Sequence, residues 1–323
     1  MNNIKKIQEK LIEKNLDAVL VTDEKNQRYA TGFPFTDGAV IVARSAAWLI
    51  TDSRYIEAAT NTAACCCNVQ MFDREHSRLS LIQAALKEAG VERLGAEEEK
   101  LSHAGYLGYE KALGMELLPA QAIFSELRAS KSEEEIGYLR EAQAISEKAL
   151  AEVLRIIKPG MTERQVAAEL VYHMLLNGSE GNSFDPIVIT GKKTSMPHGV
   201  PGDEVIHEGD FVTMDFGCLK HGYCSDMTRT VAIGYATDEM KNIYNIVLEA
   251  QLAGIAAARA GIPGYEIDAA ARNVITKAGY GQYFGHGFGH SLGLDIHELP
   301  GANLSGKAIM PVGCAVSAEP GIY

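Results

Sequence analysis

Apolar and polar residues alternate along this chain with two periods, one near 3.6 and one of 2. Residues 1–17, MNNIKKIQEKLIEKNLD, repeat apolar positions at helical spacing on a charged background, which predicts an amphipathic helix. AVLVT (18–22) is a continuous apolar run and predicts a buried strand. A polar break follows, then RYATGF, where Gly32 suits a tight turn. AVIVA (39–43) and AWLIT (47–51) predict two strands joined by Arg44-Ser45-Ala46. Helical spacing returns over 77–89 and 104–113. Helices and strands in alternation predict a small α/β domain over residues 1–128.

A polar junction follows, with a linker at 129–132 and a second domain over 133–323. Ser132 is placed to cap a helix and Glu135, three residues on, completes a capping box. That helix runs to Lys158, where Pro159-Gly160 stops it. Thr162 and Gln165 repeat the capping pattern. Lys158-Pro159-Gly160 is echoed by Ile262-Pro263-Gly264, 104 residues later, and Ala167 by Ala271. A duplication at that offset predicts two halves, each of helices followed by strands, facing across a pseudo-two-fold axis with a cleft between them.

Composition narrows the function classes. With 323 residues and 46% apolar content the chain is an ordinary globular protein of two domains. Its net charge is −12 and no Lys/Arg cluster stands out, which disfavours nucleic acid and anionic membrane as partners. The N-terminus lacks the apolar stretch of a signal peptide, and no apolar run is long enough to span a bilayer. None of the six cysteines has CxxC spacing. Read as a strand, adjacent Cys65, Cys66 and Cys67 point to alternate faces and cannot converge on one metal. Free thiols in a reducing cytoplasm are expected.

The most informative chemistry lies in Gly209–Gly234, GDFVTMDFGCLKHGYCSDMTRTVAIG. Val212, Met214 and Phe216 alternate with Thr213, Asp215 and Gly217, giving one apolar and one polar face. A two-residue turn at Lys220-His221 puts Asp215 directly opposite Asp226; a bulge at Gly222 shifts the pairing by one. Opposed carboxylates repel, so a shared proton or a divalent cation should offset them, unless both are simply solvated on an open face. FGHGFGHSLGLDIHELP (284–300) gathers His286, His290 and His297 among glycines, beside Asp295 and Glu298. His198 sits in a Pro-His-Gly turn, a common place for an ordinary loop histidine. Glu319 precedes Pro320-Gly321, where a carboxylate is usually just solvated.

Taken in order, FDPIV, PHGVP, MDFG, YCSDMTRT, GHGFGHSLGL, HELP and AEPGIY resemble the creatinase, aminopeptidase P and prolidase family. NQRYATGF, LITDSRY and LRASKSEEEI resemble its N-terminal domain and interdomain junction. The resemblance covers nearly the whole chain. It implies an α/β N-terminal creatinase-like domain followed by an α+β pita-bread catalytic domain, and hydrolysis of the peptide bond preceding proline, as an Xaa-Pro aminopeptidase or dipeptidase. It implies two divalent metal ions, manganese first, with cobalt or zinc as alternatives. Asp215 would bind one metal, Asp226 would bridge both, and His290 and Glu319 would bind the other. His198, His286, His297 and Glu319 would serve catalysis and substrate binding, with Glu319 helping to move a proton. Short peptides with proline second are the implied partners, and a cytoplasmic homodimer the implied form.

One departure from the family pattern is expected to matter. The family continues past this motif into a glycine-rich strand that carries a second bridging glutamate, whereas the sequence stops at Tyr323. The catalytic domain is therefore expected to lack its last strands, supply four of five metal ligands and bind its second metal weakly. Two rivals follow: a binding module without activity, and a metal-free amidinohydrolase of the creatinase type, against which the intact acidic and histidine set argues.

Overall fold

The computed structural model describes residues 2–323, which divide into two compact units meeting between Leu127 and Arg128. The first is a six-stranded sheet flanked by helices. Strand order across it is 68–71, 47–51, 39–43, 18–21, 94–96, 117–119. Strand 39–43 runs antiparallel to both its neighbours, and the other pairings are parallel. The runs AVLV, AVIVA and AWLIT are buried at every position, as central strands covered on both faces should be.

Three local expectations change here. The polar stretch before Gly32 is a helix, Glu24–Thr31, whose N-cap Asp23 accepts from the Asn26 amide. Gly32 is its left-handed C-terminal residue at φ 76°. The cysteine triplet is not in a strand; it turns the chain after the helix Ile56–Ala63, with the Cys66 and Cys67 sulfurs 3.7 Å apart. All six cysteines are free thiols.

In the second unit both capping boxes form. Ser132 and Glu135 start the helix Glu133–Ile156, and Thr162 and Gln165 start Glu163–Leu176. A second helix pair, Asp238–Ala257 and Gly264–Lys277, repeats the arrangement. The repeat is displaced by 101 residues, not 104. Gly160 and Gly261, both at positive φ, donate to Ile206 and Met310; Met161 and Ile262 accept from those same residues in return. Thr162 and Pro263 are the two N-caps, each bridged to a downstream strand, at Val205 and Ile309. The Pro-Gly dipeptides are thus out of step: the first ends a helix, whereas the second begins one. Three extra residues in the later loop bring the offset to 104 only after the helices.

Each helix pair covers strands. Phe211–Phe216 pairs antiparallel with Ile187–Thr190 on one side and Met227–Ala232 on the other. Val212, Met214 and Phe216 are fully buried against Ala149, Val166 and Leu170 of the first helix pair. Alternate burial along this strand leaves Thr213 and Asp215 on the opposite face. In the second half, Phe288 packs with Ala250, Ile267 and Ile275. Gly254 makes room for that ring, since a Cβ there would lie 2.2 Å from it.

The hairpin register differs from the expected one. The two-residue turn is His221-Gly222, at φ 51° and 73°, with Lys220 paired to Tyr223. A turn with both central residues at positive φ favours glycine second, which Lys220-His221 cannot provide. Glu180 clamps it, one oxygen on the His221 amide and the other on that of Gly222. Asp215 therefore faces Thr228, not Asp226. The slip is two residues, so it preserves facing, and Asp215 and Asp226 remain on one face as diagonal neighbours. The same register sets Gly217 opposite Asp226, where a Cβ would lie 2.0 Å from the Ser225 carbonyl oxygen.

Gly217→Ala should therefore lower stability by about 1–3 kcal/mol through overpacking. Urea unfolding measures it; an unchanged midpoint would show that the backbone yields freely at this crossing.

Candidate metal centre

Three chain segments bring acidic and imidazole groups together. The hairpin supplies Asp215 and Asp226. Strand Gly289–Ser291 supplies His290, and it pairs on one edge with Glu298–Ala302. On its other edge lies the final extended segment. The Ser317 amide donates to the His290 carbonyl at 2.8 Å and the Glu319 amide to the Phe288 carbonyl at 2.9 Å. Those two bonds place Glu319 beside His290. A Glu simply solvated before Pro-Gly, the usual case, would have stayed outside.

His290 Nε2 lies 3.3 Å from Asp226 Oδ2 and 3.2 Å from Glu319 Oε1. One ligand atom from each of these three residues lies within 4.8 Å of the others, the one such group found among the described residues. His290 Nδ1 meets the Ser291 carbonyl at 3.1 Å, which keeps the proton on Nδ1 and turns Nε2 toward the carboxylates. Ser317 donates to Glu319 Oε1 at 2.8 Å and accepts from the His290 amide at 3.0 Å, fixing both ligands to each other.

Asp215 stands beside this trio without belonging to it. Its Oδ1 is buried with no hydrogen-bond partner. Burial, then the charge of Asp226, pushes its carboxyl up to about 7, against a hydrogen bond from Thr228. Burial opposes the charge on His290, yet hydrogen bonds to Asp226 and Glu319 prevail and raise the ring to about 10. Burial likewise works against ionisation of Glu319, but His290 and Ser317 hold its carboxyl below the ordinary value. Oxygen and imidazole donors, one of them a buried orphan, suit a divalent cation, so these four residues fit the expected metal site.

The remaining histidines take other stations. His297 packs edge-on to His290 with ring centroids 4.2 Å apart. Burial and the charge of His290 depress its pKa, with His198 contributing in the same direction. His198 occupies the expected turn, closed by the Gly199 amide on the Met196 carbonyl, and is exposed. His286 bonds through Nε2 to the Tyr323 hydroxyl at 3.2 Å. Tyr323, Ser317 and Thr228 carried no signal in the sequence beyond their nearness to acidic or histidine positions.

Asp295 and Glu298 do not join the histidines. Arg128 pairs with both, and Lys131 Nζ lies 2.9 Å from Glu298 Oε2. Glu298 is buried at the start of the strand that follows His297, so this cluster anchors the histidine loop from beneath. Burial raises the Glu298 carboxyl, but Arg128 and Lys131 outweigh it and hold it below the usual range. A depressed carboxylate stabilises the fold above its unfolded pKa, and that contribution is lost as pH falls through the folded value. Glu298→Gln should cost about 3 kcal/mol near neutral pH by stranding buried cations. Its stability should also fall less steeply than the wild type's below pH 5. Urea unfolding across pH tests this; parallel pH curves would sink it.

The chain matches two family descriptions: the creatinase/prolidase N-terminal domain over residues 3–130 and metallopeptidase family M24 over 137–323. It is similar to the Xaa-Pro dipeptidase of Pyrococcus horikoshii, 34% identical over 99% of this chain and 89% of the relative. Its fold matches the solved Xaa-Pro dipeptidase from Bacillus anthracis with a TM-score of 0.94, at 40% identity over 99% of this chain and 90% of that one. It also matches the X-Pro aminopeptidase from Thermotoga maritima, with a TM-score of 0.92, at 33% identity over 98% and 90%. With its creatinase-type first domain and pita-bread second domain, the chain belongs to metallopeptidase family M24.

Proposed function

We propose that this chain is a metal-dependent peptidase that hydrolyses the bond preceding proline, with Asp215, Asp226, His290 and Glu319 holding its cations. The observation that carries the reading is the meeting of Asp226, His290 and Glu319 beside the unpartnered oxygen of Asp215. Relatives named Xaa-Pro dipeptidase and X-Pro aminopeptidase support short peptides with proline second as substrates.

When bound, divalent cations supply an acidified water and a polarised carbonyl at this site. Glu319 Oε1 accepts from Ser317, which leaves Oε2 as the oxygen that would take a proton from water at this site. His297, beside His290, donates a hydrogen bond to the scissile carbonyl oxygen. His198, on its exposed turn, orients the peptide from the open side. His286 borders the substrate near the proline or the N-terminal residue. An X-Pro amide has no N–H, so these contacts must fall on carbonyl oxygens, chain termini and the ring.

Manganese is the cation we assign, with cobalt or zinc as alternatives; three carboxylates to one imidazole make an oxygen-rich donor set. We propose the linker between the domains at 129–132, next to the division of the two compact units after Leu127. A homodimer, the commonest symmetric assembly, is the proposed form. The cytoplasm is the proposed compartment, supported by the free thiols. No helix among the described residues is long and apolar enough to cross a membrane.

The manganese-supplied protein should cleave Xaa-Pro dipeptides or tripeptides, and a chelator should abolish this. His290→Ala should lower kcat/KM by about a thousandfold or more, as expected for losing a direct ligand where an outer partner costs about 10–100-fold. Cleavage that survives chelation would end the reading.

Cation uptake should also release protons, because His290 and part of the Asp215 population carry one at pH 7 in the cation-free state. Calorimetry in buffers of different ionisation enthalpy should count roughly one proton or more per chain. Uptake that releases none would show that other groups bind the cation.

A further inference from the structure

The helix Gly264–Lys277 carries a buried ion pair that the chemistry above does not use. Arg272 Nε lies 2.8 Å from Asp268 Oδ2 and its Nη2 lies 3.0 Å from Oδ1. Asp268 has no exposed side-chain surface. A pair one helical turn apart is ordinarily a surface device worth a few tenths of a kcal/mol. This one faces inward, and its remaining donors are spent on the histidine loop. Arg272 Nη1 donates to the Phe284 carbonyl at 2.8 Å and Nη2 to the His286 carbonyl at 2.6 Å. The Phe288 amide donates to Asp268 Oδ1 at 2.9 Å. The guanidinium also lies over the Phe284 ring, 4.1 Å from its centroid.

We propose that Arg272, locked by Asp268, is a positioning residue for His286. The pair takes one backbone group from each of Phe284, His286 and Phe288, so the chain on both sides of His286 is tied to a rigid helix. The ring is then set from two directions. Phe284 meets it edge-on with centroids 5.2 Å apart, and Phe284 is itself covered by the guanidinium. Nδ1 lies 2.9 Å from the Gly287 carbonyl, which directs Nε2 to Tyr323. Past Phe288, the carbonyl of the same residue accepts from Glu319, so the grip also extends to the final segment. Lysine cannot replace this function. Its single ammonium cannot reach the carboxylate and two carbonyls with the planar geometry of a guanidinium.

The inference rests on the reading of His286 as a residue that borders the peptide. It separates from generic stabilisation through a double-mutant cycle. Arg272→Lys should lower kcat/KM for an Xaa-Pro dipeptide by about 10–100-fold, the usual cost of losing an outer partner. Combined with His286→Ala it should add little to the loss caused by His286→Ala alone. Should Arg272→Lys not fold, Asp268→Asn takes its place, with a smaller loss and the same non-additivity. A second readout does not need activity. In cation-free protein with 15N-labelled histidine, the ring signals of His286 should shift or broaden in the variant, while those of His76 in the first unit stay fixed. Additive losses in the cycle, or unmoved His286 signals, would overturn the proposal. If the wild-type protein cleaves no Xaa-Pro peptide, the functional reading fails instead, and the ring signals alone decide the positioning role.

Discussion

Asp215, Asp226 and Glu319 are three carboxylates brought into a partly buried space around a single imidazole, and the second unit is organised to hold them there. Like charges so placed repel strongly once water is excluded. In the cation-free protein the balance is met by protons: His290 is held as an imidazolium between Asp226 and Glu319, and Asp215 retains a proton well above the ordinary carboxylate range. A divalent cation meets the same need with fixed charge. A bound cation would take the place of the protons on His290 and Asp215.

Holding such groups together requires that each come from a segment anchored elsewhere. The repeat provides this. Asp215 projects from a strand whose opposite face is buried in the first helix pair, through Val212, Met214 and Phe216. Glu319 lies on a segment tied to Phe288, which is buried in the second pair. The residue 104 positions after Asp215 is Glu319, in the stretch where the two halves are offset by 104. Corresponding segments of the two halves, the strand Phe211–Phe216 and the final extended stretch, thus bring Asp215 and Glu319 to the centre. Each is backed by its own core, so repulsion between them is resisted by two independent hydrophobic packings.

Period-two alternation made the facing of Asp215 legible from the sequence, because facing depends only on parity. Register was not legible. It depends on which two residues can both adopt positive φ, and the sequence offered Lys-His and His-Gly side by side. The glycine decided it. The repeat was legible as Pro-Gly echoes, but at the wrong offset, since Pro159-Gly160 ends a helix and Pro263-Gly264 begins one. Glu319 had no local signal, because its burial comes from backbone pairing to a strand some thirty residues earlier. Only its resemblance to a family motif marked it. Helix Glu24–Thr31 was hidden by its polar composition, although Asp23 and Gly32 are ordinary start and stop residues.

Asp295 and Glu298 show why nearness in sequence is a poor guide to charge partners. Both follow His290 closely, and both are turned to Arg128 and Lys131 instead. Had either faced the histidines, a further buried anion would have joined the central group and favoured protonation of His297. In the cation-free protein, partial burial and the charge of His290 lower the His297 pKa, against Asp226 and Glu319, which raise it. A neutral imidazole can donate to a carbonyl oxygen and still accept a proton. The basic residues at the start of the second unit pair with Asp295 and Glu298 instead of leaving them to the histidines.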